Sequence, residues 1–259
     1  TTFLDISNTY LYITPPKCGC STIKTFFNKN NTLLSKTDFN LFHLNKIYII
    51  YRHPIQRFIS FCSNVLLTRT TDPVSYNHEH LWMNFLHLYQ IHIGTPLTKK
   101  SRIKDVLHFL KYLNTHFNYK NGKVDGMLID RHAISQYLYH KFFIHKMINK
   151  EEIYIDHFLN HSKNIKWIEL NHLDHFIKHH LIPLYHLPYK KAENKSIDNK
   201  LVDTFFYHKD DLDLNIEDVW MNTSLFKEKI MSTLFKKDIL EVYKDDVEFF
   251  EKKNIFSFY

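Results

Sequence analysis

The segment Tyr10–Phe27, YLYITPPKCGCSTIKTFF, brings together a lysine, a glycine and two adjacent hydroxyls. It reads as a short apolar strand, a tight loop and the first turns of a helix. Such a loop cradles an anion, because the first N–H groups of a helix lack intrahelical partners and the helix dipole favours negative charge there. Lys17 adds a positive charge, Ser21 and Thr22 add hydroxyl donors, and Cys18, Gly19 and Cys20 add backbone amides. The expected guest is a phosphate or sulfate group. A Walker A loop places its Lys after the second glycine, in G-x-x-x-x-G-K-[ST]. Here the Lys comes first, in Pro16-Lys17-Cys18-Gly19-Cys20-Ser21-Thr22, which disfavours an ordinary ATP or GTP site.

The segment Lys46–Leu67, KIYIIYRHPIQRFISFCSNVLL, supplies a second anion-binding element. Ile47–Tyr51 is a compact run of β-branched and aromatic residues, as expected of a buried parallel strand. Pro54 then opens a helix at its first position, where a missing N–H costs nothing. Arg52 stands at the carboxyl end of the strand, where ligands of open α/β sheets bind, and Ser60 follows inside the helix. A guanidinium there suits a phosphate, to which it donates two parallel hydrogen bonds.

The order P-K-x-G-x-[ST]-[ST] followed by R-x-P-x-x-R-[FL]-x-S resembles the sulfotransferases that use 3′-phosphoadenosine 5′-phosphosulfate (PAPS). Further points agree in the family's order. Asp130–Gln136 resembles the D-x-H-x-x-x-Q element of the carbohydrate and membrane-type branch. Asn194-Lys195-Ser196 resembles the loop that closes over the nucleotide, and Ile239–Phe249 the closing helix of I-x-x-x-Y-x-x-D type. The resemblance implies a P-loop-like three-layer α/β fold and transfer of a sulfuryl group from PAPS to an acceptor hydroxyl, without a metal. It further implies that residues 17–22 hold the 5′-phosphosulfate, Arg52 and Ser60 the 3′-phosphate, and Lys195 and Ser196 the covering loop. A glycan is the expected acceptor. Two departures stand out: His53 replaces the family's Asp, Asn or Glu, and Ala133–Ser135 lacks the usual Trp and Pro.

Sulfuryl transfer needs a cation near the leaving oxygen and a base for the acceptor hydroxyl. Lys17 is the candidate cation. Among the 19 histidines, His43, just before the second strand, is the first candidate base, and His132 is the second; His78 and His80 follow. Glu169, at the end of a late strand over 165–169, reads as structural.

The chain has 259 residues, enough for one α/β domain, with a helical insert over about 70–160 expected on the acceptor side. Its formal charge of +7 suits an anionic cofactor. Three cysteines do not suggest a disulfide framework, and neither a C-x-x-C pair nor a zinc spacing occurs. Neither a membrane span nor a signal peptide is visible, so the expected location is cytoplasmic, or the Golgi lumen if an anchor precedes the chain. The expected elements are strands over about 9–14, 46–51 and 165–169, and helices over about 21–29, 54–68, 79–92, 101–117, 135–150 and 155–159. A loop is expected over 118–126, a helix from about Asp174, and two C-terminal helices.

Two rival readings remain. A P-loop phosphotransferase, such as a nucleotide or small-molecule kinase, needs a Mg²⁺-binding Ser or Thr after Gly-Lys, which is missing. A non-catalytic basic module for nucleic acid or an acidic polymer needs clustered charge. Here Lys and Arg are spread along the chain and offset by acids.

Overall fold

The structure, a computed structural model, describes residues 2–4, 10–16, 18, 22–23, 26, 45–66, 69–70, 79–148, 152–185, 215–217 and 234–255. The protein is mixed α/β, with a small parallel three-stranded sheet flanked by helices. The chain divides into two compact units, residues 1–52 with 139–198 and residues 53–138 with 199–259.

The first unit holds the sheet. Strands β1 (Thr2–Leu4), β2 (Tyr10–Ile13), β3 (Lys46–Tyr51) and β6 (Ile165–Glu169) lie in the order β1-β2-β3-β6. β1 is an antiparallel edge, whereas β2, β3 and β6 run parallel, with Ile13 beside Ile49 and Tyr51 beside Glu169. Parallel strands covered on both faces read as unbroken apolar runs, which is why β2 and β3 are legible in the sequence. On one face Tyr12 stacks on Tyr48 at 5.2 Å, Tyr48 meets Phe176 at 5.0 Å, and the Tyr12 hydroxyl bonds that of Tyr185 at 2.9 Å. The alternate residues Leu11, Ile13, Ile47 and Ile49 are buried too.

The helix expected from about Asp174 is a composite. It runs through a 3₁₀ turn at Leu170–His172, α6 (Leu173–Phe176), a π segment at Ile177–Leu181 and α7 (Ile182–Tyr185). It buries Leu173, Phe176, Ile177 and Leu181 against Tyr12, Ile50 and Ile168. Helices α4 (Gln136–Ile148) and α5 (Glu152–His161) are joined by the buried Lys141, whose ammonium pairs with Glu152 and, at 3.3 Å, with Asp156.

The second unit is helical. It contains α1 (Pro54–Phe61), α2 (Glu79–Ile93), α3 (Ile103–His116), α8 (Leu234–Val242), α9 (Lys244–Lys252) and the first turn of α4. α3 buries Ile103, Val106, Leu107, Leu110 and Leu113, the spacing of an amphipathic helix. Trp82 stacks on Phe85 at 4.8 Å, and Phe109 meets Phe85 and Tyr89 edge-on at 5.1 and 5.2 Å.

Two local expectations change. The helix after Pro54 is α-helical only to Phe61 and continues as a π segment over Cys62–Leu66. The expected loop at 118–126 begins a hairpin of β4 (Lys123–Val124) and β5 (Met127–Leu128). Its two-residue turn holds Asp125 and Gly126 at φ 48° and 79°. Asp-Gly favours such a turn, since both positions need positive φ.

Candidate functional site

In the first unit, the parallel strands end at one edge, marked by Ile13, Tyr51 and Glu169. Two segments leave that edge. After β2 come the buried Thr14 and Pro15, then a turn in which the Cys18 N–H donates to the Pro15 carbonyl at 3.1 Å. That amide, expected to serve an anion, is engaged in shaping the loop, and the Cys18 side chain is buried. Thr22 is half-buried and helical, as a strand–loop–helix passage requires. After β3 comes Arg52, half-buried, with its Nε shielded from solvent. Beside it burial, and secondarily the Glu169 charge, pushes the Tyr51 phenol up to about 12, so it stays a hydrogen-bond donor at neutral pH. Glu169 accepts a hydrogen bond from the Asn171 side chain at 2.9 Å and so braces the turn that follows β6.

Lys17, Gly19, Cys20, Ser21, His43, His78, Lys195 and Ser196 lie outside the described residues. Ser60 and His132 belong to the second unit, Ser60 half-buried on α1, and His80 is exposed on α2.

His53 caps α1. Its Nδ1 accepts from the Ile55 N–H at 3.3 Å, and Pro54 fills the first helical position. Burial, and after it the charge of Lys236, lowers the His53 pKa to about 4. Neutral imidazole is thus favoured in the fold, and protonation would remove the accepting lone pair. Because the folded value lies below the ordinary 6.5, the His53 contribution is fully present above pH 6.5 and is lost as pH falls toward 4. Denaturant titrations at pH 7.5, 5.5 and 4.5 should show this loss of stability. His53→Asn, which keeps an accepting oxygen and does not titrate, should flatten it; an unchanged slope would remove His53 as its source.

The second unit assembles three elements that are far apart in sequence. Arg57 on α1, fully buried at 0% exposure, donates from Nη2 to the backbone carbonyls of Arg131 and His132 at 3.4 and 3.2 Å. Its guanidinium lies 5.7 Å from the Tyr243 ring centroid on the C-terminal side. Asp130 pairs with Arg69 through one carboxylate oxygen. The other oxygen accepts from His132 Nδ1 and, at 2.9 Å, from the His132 N–H. Arg69 in turn covers the Trp82 ring at 5.2 Å. Asn114 of α3 donates to the Ala133 carbonyl at 3.3 Å and accepts from the Ser135 N–H at 2.6 Å.

The start of α4 is satisfied in the same network. Ser135 Oγ accepts from the Leu138 N–H at 3.2 Å, an N-cap bond. Asp246 of α9 accepts from the Tyr137 N–H at 2.7 Å and from Gln136 Nε2 at 3.3 Å. Burial raises the Asp246 pKa, opposed by Arg57 and by the hydrogen bonds at the helix start. The segment 130–137 is therefore held by side chains of α1, α3 and α9 and by Arg69, and its half-buried residues are Arg131, His132 and Tyr137. The His132 side chain is 28% exposed against 7% for Asp130.

Sequence reasoning named His132 as the second candidate base, singled out Asp130, Gln136, Tyr243 and Asp246 only as motif letters, and gave Arg57 no role. The signal for Arg57 was the second Arg of R-x-P-x-x-R-[FL]-x-S. Arg69 and Asn114 carry no local signal. Among the described residues, no group of three His, Cys, Asp or Glu side chains is placed to hold a metal ion, and no helix is long and apolar enough to cross a membrane. No protein-family model, no curated protein and no solved structure matches the chain.

Proposed function

We propose that the chain is a PAPS-dependent sulfotransferase on a P-loop-like fold, acting on an acceptor hydroxyl of a carbohydrate. The observation that carries this reading is the placement of Arg52 directly after β3, at the sheet edge from which the loop after β2 also departs. Parallel strands make that edge a ligand-binding edge. Support also comes from the meeting of Arg57, Asp130, Gln136, Tyr243 and Asp246, which belong to three separate motifs of the resemblance, in one buried network.

In this reading Lys17 neutralises charge that develops on the bridging oxygen, and Ser21, Thr22 and the loop amides hold the 5′-phosphosulfate. Arg52 and Ser60 hold the 3′-phosphate, and Lys195 and Ser196 close over the nucleotide. The acceptor oxygen bonds to sulfur as the bond from sulfur to the 5′-phosphate oxygen breaks. The hydroxyl proton passes to a base, and 3′-phosphoadenosine 5′-phosphate departs. No metal ion takes part.

Calorimetric titration with 3′-phosphoadenosine 5′-phosphate tests this, with ATP and 5′-AMP as controls. The expected result is binding that requires the 3′-phosphate. Arg52→Ala should weaken it about 10- to 100-fold, the loss of a charged hydrogen bond worth about 1.5–3 kcal/mol. No binding, or equal binding of 5′-AMP, sinks the reading.

A further inference from the structure

The geometry points to Asp130 as a positioning residue that holds His132 in one tautomer, with the proton on Nδ1 and Nε2 as the proton acceptor, and to Arg69 as the anchor that fixes Asp130. The role of His132 as a base of sulfuryl transfer rests on the function proposed above; the dyad itself does not.

A carboxylate is an acceptor only, so the ring nitrogen that meets Asp130 must carry a hydrogen. The meeting nitrogen is Nδ1, which leaves the lone pair of the neutral ring on Nε2. Asp130 cannot turn away. Its second oxygen is paired with Arg69, which is itself buried and packed on Trp82. The backbone beneath the ring is equally restricted, because Arg57 holds the carbonyls of Arg131 and His132. A loop that needed only to turn would require neither two buried arginines nor an imidazole at its tip. Buried charges are costly and are stabilising only when every member is satisfied. Their use to brace a single half-open histidine is the arrangement that general-base catalysis needs, a nitrogen of known tautomer on a rigid support. In the proposed reaction, Nε2 takes the acceptor hydroxyl proton as the new oxygen–sulfur bond forms.

The test is the imidazole tautomer, read from long-range ¹H–¹⁵N correlations of the ¹⁵N-labelled chain at pH 8, with the His132 signals assigned by their loss in His132→Gln. The expected pattern for the unmodified protein is Nδ1 protonated and Nε2 bare. An Nε2–H form, or an exchanging mixture of the two, overturns the proposal, and this needs no variant of Asp130. The double variant Arg69→Met with Asp130→Leu adds a second check, because it removes the carboxylate without leaving a buried charge unpaired. The Nδ1–H pattern should then be lost in favour of Nε2–H or a mixture of the two forms; an unchanged pattern in a folded variant also overturns the proposal. Titration of these variants with 3′-phosphoadenosine 5′-phosphate separates the two ideas. Absent binding in the unmodified protein with the Nδ1–H form intact removes the sulfotransferase reading and leaves the dyad standing.

Discussion

Arg69→Ala should lower the unfolding free energy by about 3–5 kcal/mol, the cost of leaving one partner of a buried ion pair uncompensated. Arg69 and Asp130 are both buried and paired. Removing the guanidinium strands the Asp130 carboxylate and takes away the cation that covers Trp82. The diagnostic comparison is the double variant Arg69→Met with Asp130→Leu. Replacing both charges by apolar groups of similar volume avoids the desolvation cost, so it should recover most of what the single change loses. Urea denaturation reads both, through the midpoint at constant slope. If Arg69→Ala costs less than about 1 kcal/mol, an exposed-pair value, the pair is not buried as described.

Asp246→Ala should cost a similar amount, about 3–5 kcal/mol, for a different combination of reasons. It removes the acceptor of the Tyr137 N–H, the partner of Gln136 and the negative group at the N-terminus of α4. It also deletes the carboxylate whose charge interacts with Arg57. Asp246→Asn keeps an accepting oxygen for Tyr137 and should cost markedly less. The pH dependence has a definite sign. Because burial raises the Asp246 pKa in the fold, folding favours the protonated form more than the unfolded chain does. Its contribution is therefore full at pH below the ordinary 3.8 and is lost as pH rises through the folded value. The asparagine variant does not titrate, so its deficit relative to the unmodified protein should shrink as pH rises. A deficit that grows with pH would mean that Asp246 is stabilised as a carboxylate.

These two sites show what a motif letter leaves unsaid. Within I-x-x-x-Y-x-x-D, Ile239, Tyr243 and Asp246 fall on one side of the α8–α9 turn and are almost wholly buried. Their spacing shows that they share a face. It does not show that Asp246 closes the start of a helix 109 residues earlier in the chain. The same holds for Arg57, whose carbonyl partners lie 74 and 75 residues away.

By itself the sequence determined the elements whose signal is local. β2 and β3 are continuous apolar runs because a parallel strand is covered on both faces, and α1 begins at Pro54 because proline suits a first helical position. The placement of Arg52 at a strand end follows from the same reading. Local patterns also contained signals that went unread, such as the Asp125-Gly126 turn of the β4–β5 hairpin. Only the tertiary structure decided the antiparallel edge β1, the π segments and the clamping of residues 130–137. A three-residue strand has no periodicity to detect, and a π turn depends on packing rather than on residue type. The clamp exists because buried donors and acceptors must find partners wherever the fold brings them, so the pairing of Arg69 with Asp130, and of Asp130 with His132, is a property of the assembled core.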